Sequence, residues 1–303
     1  MSSKDLKIIA DANQDDLSNI KSRSQLKLIW FRFKKNKMAL LGLAIILALA
    51  LVAIFAEVIA DYETMAVTQN MSMRKQPPSA EHIFGTDHYG RDMFARIVHG
   101  ARISLTMGFI TLGISLTVGA LLGSIAGFYG GTIDNVIMRI CDIFLAIPST
   151  LFALTIVAAL GGGLVNLLIA MSISRIPNTA RVVRSSILNV QGSDYIEAAR
   201  ACGTPDSRII MKHIIPNAIG PIIVSATLGL GNTIVAIAGM SFIGLGVEAP
   251  TPEWGAMLSE GKQFLRTDPH LCIIPGIAIV CAVLGFNLVG DGLRDALDPK
   301  LKN

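Results

Sequence analysis

The residue types that most often carry catalysis or bind nucleotides are present in this chain, but their spacing fits neither task. The nearest approach to a phosphate-binding loop runs from Gly255 to Gln263. It has five residues between its glycines where the motif needs four, and Gln263 replaces the Ser or Thr that would hold magnesium. The five histidines are scattered, and no HExxH, GxSxG or paired-carboxylate pattern stands in a context that supports hydrolysis. We therefore expect no catalytic residue, no metal site and no cofactor bound by this chain.

A second segment with suggestive spacing runs from Asp194 to Gly203. Asp194 is placed to cap a short helix, Glu197 to reach back to that cap, and Gly203 to close the helix in the left-handed conformation. Pro205 then marks the first position of another helix, which runs toward Pro216. A helix of two turns is unstable alone in water, so this one needs a surface to pack on. That surface is either another protein or the chain's own neighbouring helices.

The composition indicates that these segments connect membrane-spanning helices. Of 303 residues, 52% are hydrophobic and 16% charged, with a mean hydropathy of +0.57, which is too apolar for an ordinary soluble domain. Crossing ~30 Å of hydrocarbon takes about 20 mostly apolar residues. Six stretches qualify: Met38–Ala60, Ile103–Phe128, Val136–Leu160, Leu164–Val183, Ala218–Leu245 and Leu271–Val289. We predict an all-α membrane protein with six transmembrane helices and the short helix between spans 4 and 5.

The distribution of basic residues predicts the orientation and the domain organisation. With both termini in the cytoplasm, 19 of the 26 Lys and Arg residues lie inside, as the positive-inside rule requires. The net charge of +4 is spread beside apolar runs, so we expect no nucleic-acid partner. The polar leader and the first apolar run are too long for a signal peptide. The predicted units are a cytoplasmic leader (1–37) and a transmembrane domain (38–303), with an outer loop (61–102) and a cytoplasmic loop (184–216).

Several side chains in these units have more than one reading. In the outer loop, Arg91, Asp92 and Arg96 suit ion pairs on a short amphipathic helix or a solvated surface. Trp254 follows two prolines and suits a membrane interface. Pro148 and Pro177 should each kink or end a helix, because proline lacks a backbone donor.

Other patterns concern packing between the spans. Gly119, Gly123 and Gly127, four residues apart, predict a seam where another helix approaches closely. Ionisable groups are scarce within the spans. Arg139 and Asp142 lie at the cytoplasmic end of the third predicted span, and Arg175 and Arg181 lie toward that of the fourth. Local ion pairs or interfacial anchoring account for them better than a proton relay.

The cytoplasmic loop resembles the EAA loop of ATP-binding-cassette importer permeases, with the pattern EAA-x3-G-x9-I-x-LP. The matching residues are Glu197, Ala198, Ala199, Gly203 and Pro216. His213 stands in the Ile position and Ile215 in the Leu position. In that family the loop forms a coupling helix that docks into a groove of an ATPase subunit. The resemblance implies this role for Asp194, Tyr195, Glu197, Ala198, Ala199, Gly203 and Pro216.

Three further segments resemble one branch of this family, the C-type permeases of dipeptide and oligopeptide importers. They begin at Gly85, at Leu245 and at Gly290, and the likeness extends from about Leu26 to the end of the chain. In this family Asp87, Arg91, Asp92, Arg96 and Trp254 become candidates for an outer gate or docking surface.

The resemblance implies a multi-pass subunit of the bacterial plasma (inner) membrane that imports short peptides. Its implied partners are a second homologous permease subunit, two ATPase subunits that bind ATP and magnesium, and an extracytoplasmic substrate-binding protein. The same architecture importing nickel or another small solute is the alternative. Two other classes also stand as rivals: a self-contained secondary transporter or channel, and a membrane scaffold or receptor without transport.

Overall fold

A computed structural model describes the chain from residue 25 to residue 297, with side chains from residue 29 onward. Within this range the ordered elements are all helical. Most of the predicted leader, residues 1–24, and the end of the tail, residues 298–303, lie outside the described range.

Twelve α-helices follow one another in the described part of the chain, and most of the loops between them are short. They are α1 (Gln25–Lys35), α2 (Lys37–Ile54), α3 (Ala56–Ile59), α4 (Met93–Tyr129), α5 (Gly131–Leu145), α6 (Ser149–Leu160), α7 (Leu164–Gln191), α8 (Asp194–Ala201), α9 (Asp206–Ile209), α10 (Ile215–Phe242), α11 (Trp254–Gly261) and α12 (His270–Leu297). Single π-helical turns cover Tyr62–Val67 and Ile210–Ile214, and 3₁₀ turns cover Met71–Met73 and Lys262–Phe264.

Four helical units between residues 25 and 297 are long and apolar enough to cross a membrane: Lys37–Ile54, Met93–Tyr129, Asp206–Phe242 and His270–Leu297. The pair α5 and α6 adds a fifth if its two helices count as one span. The fourth predicted span lies on α7, which has 28 residues but is less apolar than the four units above, because arginines and other polar side chains are spaced along it. Six spans therefore remain a prediction.

Proline acts differently at its two predicted break points. At Pro148 the third predicted span is interrupted, and α5 and α6 meet at an angle of 82°. Pro177 lies inside α7, which continues through it to Gln191. A proline inside a helix removes one backbone hydrogen bond, and packing on neighbouring helices compensates for that loss.

The helix that contains the second predicted span, Ile103–Phe128, begins before that span. Helix α4 begins at Met93 and has 37 residues, which gives it a length of ~55 Å. This exceeds the ~30 Å of a bilayer core, so one part of α4 extends beyond the hydrocarbon. The outer loop predicted for residues 61–102 stays a prediction, and its last residues, 93–102, form the first turns of α4.

The glycine seam is confirmed as the contact between α4 and α7. A Cβ added to Gly123 would lie 2.4 Å from the carbonyl oxygen of Ala180, and one added to Gly119 would lie 2.7 Å from the Thr179 side chain. Gly127 faces Ile187 in the same way, at 3.1 Å. Because a side chain at these positions would collide with α7, glycine is what lets the two backbones approach.

Candidate functional site

Helix α8 is held to the rest of the chain by one side of its surface only. Ile196 is fully buried in an apolar cluster with Ile209 and Ile214 of the following turns, and with Phe128 and Ile187 from the ends of α4 and α7. The guanidinium of Arg200 also lies over the ring of Phe128, 5.2 Å from its centre. These contacts fix the orientation of a helix that would be unstable by itself.

The opposite side of α8 faces outward. Tyr195 is 46% exposed, and Asp194, Glu197 and Ala198 are exposed beside it, while Ala199 is half-buried. Pro216, at the start of α10, is also exposed. Four of the predicted coupling residues, Asp194, Tyr195, Glu197 and Ala198, are thus exposed on a helix whose other side is anchored.

The capping predicted for α8 is only partly correct. Gly203 has φ of +72°, the left-handed conformation expected at the end of the helix. The helix begins one residue earlier than predicted, because its N-cap is Ser193 and not Asp194. No side chain forms a capping hydrogen bond at this end. The predicted reciprocal bond from Glu197 is therefore wrong. Pro205 precedes α9 as its N-cap and does not occupy its first turn.

At the other end of the bundle, two buried arginines join the outer loop to α11. Nε of Arg91 donates to Asp87 at 2.6 Å, and Nη2 of Arg91 donates to Glu260 at 2.6 Å. Nη2 of Arg96 donates to the same oxygen of Glu260 at 3.0 Å, and both arginine side chains are inaccessible to solvent. We call Asp87, Arg91, Arg96 and Glu260 the outer ion-pair cluster. Its two negative and two positive charges balance.

The short amphipathic helix predicted for Arg91, Asp92 and Arg96 is wrong, and so is the solvated alternative. Arg91 precedes α4, and Asp92 is its N-cap, accepting from the backbone N–H of Ala95 at 2.8 Å. Asp92 also contacts Nδ1 of His82 at 2.7 Å. These groups are buried because the outer loop folds over them.

Trp254 is fully buried, so the prediction of an interfacial aromatic is wrong. Its indole N–H donates to the carbonyl of Ile97 at 3.2 Å, and its ring covers Gly100 of α4. Its neighbour Glu253 caps α11 through the N–H groups of Gly255 and Ala256, at 3.0 and 2.8 Å. Trp254 therefore fastens α11 to α4 and offers no surface to a partner in this arrangement.

His88 lies beside the cluster, and one of its ring nitrogens is within 4.8 Å of carboxylate oxygens of Asp87 and Glu260, so the three side chains could in principle share a metal ion. Burial lowers the pKa of His88, which leaves the ring neutral at pH 7. Both carboxylates are already bonded to arginine, so the chemistry favours a structural salt-bridge network over a cation site.

Sequence reasoning missed two residues that define these sites. Glu260 lies in a segment with no motif, and its pairing with Arg91 spans 169 positions of the chain. Ile196, the anchor of α8, sits between the recognised residues of the loop, where a single apolar side chain among polar ones was the only available signal.

Comparison with known families decides what kind of protein carries this arrangement. Residues 119–303 match the family described as "Binding-protein-dependent transport system inner membrane component". The chain belongs to this family. Residues 24–78 match a second family, the N-terminal TM domain of oligopeptide transport permease C. The protein is thus a multi-pass subunit of a bacterial inner-membrane transport system, as the resemblance of its EAA loop implied.

Named relatives of this inner membrane component cover almost the whole chain. A dipeptide transport system permease protein from Alkalihalophilus pseudofirmus is 52% identical over 272 residues, covering 90% of this chain and 89% of the relative. A glutathione transport system permease protein from Escherichia coli O157:H7 is 44% identical over 273 residues, covering 90% of each. A dipeptide transport system permease protein from Haemophilus influenzae is 41% identical over 286 residues, covering 92% and 96%.

A solved structure supports the fold of this inner membrane component. One chain of the inward-facing methionine ABC transporter MetNI superimposes with a TM-score of 0.57 at 22% identity, covering 68% of this chain and 98% of that one. The shared part is the helical core of an ABC permease.

Proposed function

We propose that this chain is the permease subunit of an ATP-driven importer of short peptides, and that α8 receives the mechanical input from an ATPase partner. In this proposal the subunit has six transmembrane helices in the domain 38–303, and both termini lie in the cytoplasm. It pairs with a second, homologous permease subunit above two ATPase subunits. An extracytoplasmic binding protein delivers the substrate from the other side.

The observation that carries the coupling role is the one-sided anchoring of α8. Ile196 fixes the helix to the ends of α4 and α7, whereas Tyr195, Glu197 and Ala198 face outward. A rigid helix with a free surface of small side chains can enter a groove on another protein. Because its buried side packs on two long helices, movement of the helix is transmitted to them. This supports Asp194, Tyr195, Glu197, Ala198, Ala199, Gly203 and Pro216 as the coupling surface.

Energy in this arrangement comes from ATP bound with magnesium on the partner ATPases, and this chain carries out no hydrolysis. Closure of the ATPase pair would move α8 and shift the permease between inward-facing and outward-facing states. Such a shift is a two-state equilibrium biased by the differential binding of a ligand.

On the outer side, the ion-pair cluster holds the outer loop rigidly against α11. Asp87, Arg91 and Arg96 are buried, so they shape the outer surface from within and do not contact a partner directly. We infer that they and Asp92 and Trp254 form the frame of the outer gate, and that the loop above them receives the binding protein.

Peptide import is supported by relatives over most of the chain, since two of them are named for dipeptide transport and one for glutathione, which is itself a short peptide. Import of nickel or another small solute by the same architecture is the alternative. A self-contained secondary transporter or channel is disfavoured because few ionisable groups lie within the spans and because α8 offers a surface that calls for a partner.

The test is ATP-dependent uptake of labelled di- and oligopeptides by the reconstituted complex, with Glu197→Lys and Gly203→Asp compared with the native chain. We expect both variants to lose uptake and to release the ATPase subunits during purification. A matched control is Lys212→Gln, an exposed change near α9 that leaves α8 intact. Normal assembly and transport by both variants would remove the coupling role from α8. Uptake of nickel but not peptides by the native complex would favour the alternative substrate.

A further inference from the structure

The strongest unassigned feature of the chain is an arginine without a charge partner, near the middle of α7, the helix of the fourth predicted span. Helix α7 carries three arginines. Arg181 pairs with Asp142 at 2.5 Å and Arg184 pairs with Asp134 at 2.5 Å, both on α5. Arg175, about 9 Å nearer the outer end of α7, has no ion pair with any residue between 29 and 297, and its Nε is buried without a hydrogen-bond partner.

The depth of Arg175 follows from the helix it packs against. Its Nη2 lies over the backbone of α10, where a Cβ added to Gly229 would be only 2.5 Å away. Gly229 is the middle of α10, with about 20 Å of helix on either side. Since α10 belongs to a unit long and apolar enough to cross a membrane, the guanidinium lies level with the middle of an apolar helix. Glycine at this position leaves the space that the guanidinium occupies.

The surroundings of Arg175 are polar and open on one side. Asn178 is exposed three residues further along α7, and Asn232 is exposed three residues beyond Gly229 on α10. Residues three apart share a helix face, so Asn178 lies on the same face of α7 as Arg175, and Asn232 lies on the same face of α10 as Gly229. Charged and amide side chains at this depth face a water-filled cavity or a protein interior, because exposure to lipid costs too much. This face of α7 and α10 therefore borders a water-filled pathway or another protein chain.

We infer that Arg175 is a binding site for the carboxylate of the transported solute, and that it binds the C-terminal carboxylate of a peptide in transit. This inference rests on the proposed import of peptides. Every unmodified linear peptide carries that carboxylate whatever its sequence, and moving it uncompensated through the membrane centre is costly. A guanidinium offers a planar pair of donors that matches a carboxylate and keeps its charge at any physiological pH. Such binding does not depend on the peptide's sequence, and it would lower the free-energy barrier to moving the carboxylate through the membrane.

The inference is tested with the complete reconstituted transporter and its binding protein, supplied with a labelled dipeptide or with the same dipeptide as its C-terminal amide. The affinity of the binding protein for each form is measured separately, and both forms are given at concentrations that saturate it. We expect the native complex to import the free acid faster. Arg175→Gln should lower uptake of the acid about 10-fold, the effect of losing one charge-assisted hydrogen bond, and change uptake of the amide less than about 2-fold. Arg175→Lys keeps the charge and should retain an intermediate preference for the acid.

A second pair of variants leaves the arginine in place. Gly229→Ala should displace the guanidinium and lower the acid-to-amide ratio, whereas Gly239→Ala, on the same helix with nothing within 4 Å of the added Cβ, should keep the native ratio. The inference is overturned if Arg175→Gln keeps the native ratio, or if it lowers uptake of both forms alike, as it would if Arg175 paired with a carboxylate of the second permease. If the native complex imports neither form, the proposed peptide function fails and this inference with it. If the native complex imports both forms and the variants leave the acid-to-amide ratio unchanged, the peptide function stands and only the inference is overturned.

Discussion

Arg91 and Glu260 are bonded at 2.6 Å although 169 residues separate them in the chain, and the arginine side chain is inaccessible to solvent. Glu260 accepts from Arg91 and Arg96 through the same carboxylate oxygen. Since Asp87 is the second carboxylate in the cluster, removing Glu260 would leave two buried cations facing one anion. This contact fastens the outer loop to α11, and its removal should affect the outer end of the bundle first.

Glu260→Gln should therefore destabilise the protein by about 3 kcal/mol, because breaking a buried ion pair leaves an uncompensated charge. The measurement is thermal unfolding of the detergent-solubilised protein, followed by intrinsic fluorescence. Glu248→Gln is the control, since Glu248 is exposed in the neighbouring loop and should leave the transition unchanged. Equal transitions for the two variants would show that the cluster contributes little.

Gly123→Ala should destabilise the contact between α4 and α7 by about 1–3 kcal/mol, the usual cost of overpacking. The added methyl group would lie 2.4 Å from the carbonyl oxygen of Ala180, and a backbone atom has little room to move. Gly113→Ala on the same helix is the control, because nothing lies within 4 Å of its added Cβ. Both are measured by unfolding in detergent, and a Gly113→Ala variant as unstable as Gly123→Ala would contradict the seam.

Gly203→Ala should loosen the end of α8 by about 1 kcal/mol, since alanine pays a steric cost in the left-handed conformation that glycine avoids. Hydrogen exchange of the backbone amides of residues 194–203 is the measurement. Gly192→Ala provides the comparison, because Gly192 has φ of −78° and open space around it. We expect faster exchange only in Gly203→Ala, and identical exchange in the two variants would count against a conformational requirement at Gly203.

The two ion pairs between α5 and α7 should differ in strength. Arg181 and Asp142 are each about half exposed, at 52% and 50%, so Asp142→Asn should cost less than about 1 kcal/mol. Asp134 is only 13% exposed and meets Arg184 through both carboxylate oxygens, so Asp134→Asn should cost more. Unfolding of the two variants in detergent measures the difference. The double exchange Asp134→Arg with Arg184→Asp should recover part of the loss, and a double variant no better than the singles would argue against a direct pair.

Local patterns along the chain determined the helical class, the positions of most apolar helices and the family. The length of an apolar run predicts a membrane span because a bilayer has a fixed thickness. Glycines four residues apart predict a close helix contact because they lie on one face of the helix. The EAA loop was recognisable because its residues are close in sequence. Gly203 was predictable for the same reason, since the left-handed end of a helix is a local requirement.

Only the tertiary structure decided where the charged and aromatic residues of the outer loop lie. Arg91, Arg96 and Trp254 have types that usually favour water or an interface, and they are buried because residues from distant segments, such as Glu260 and Ile97, bond to them. No local pattern encodes the approach of Glu260 to Arg91 or of Gly229 to Arg175, since both depend on how whole helices pack. Local patterns thus determined the helices and the family, and long-range packing decided which buried charges of the described residues form ion pairs and that Arg175 does not.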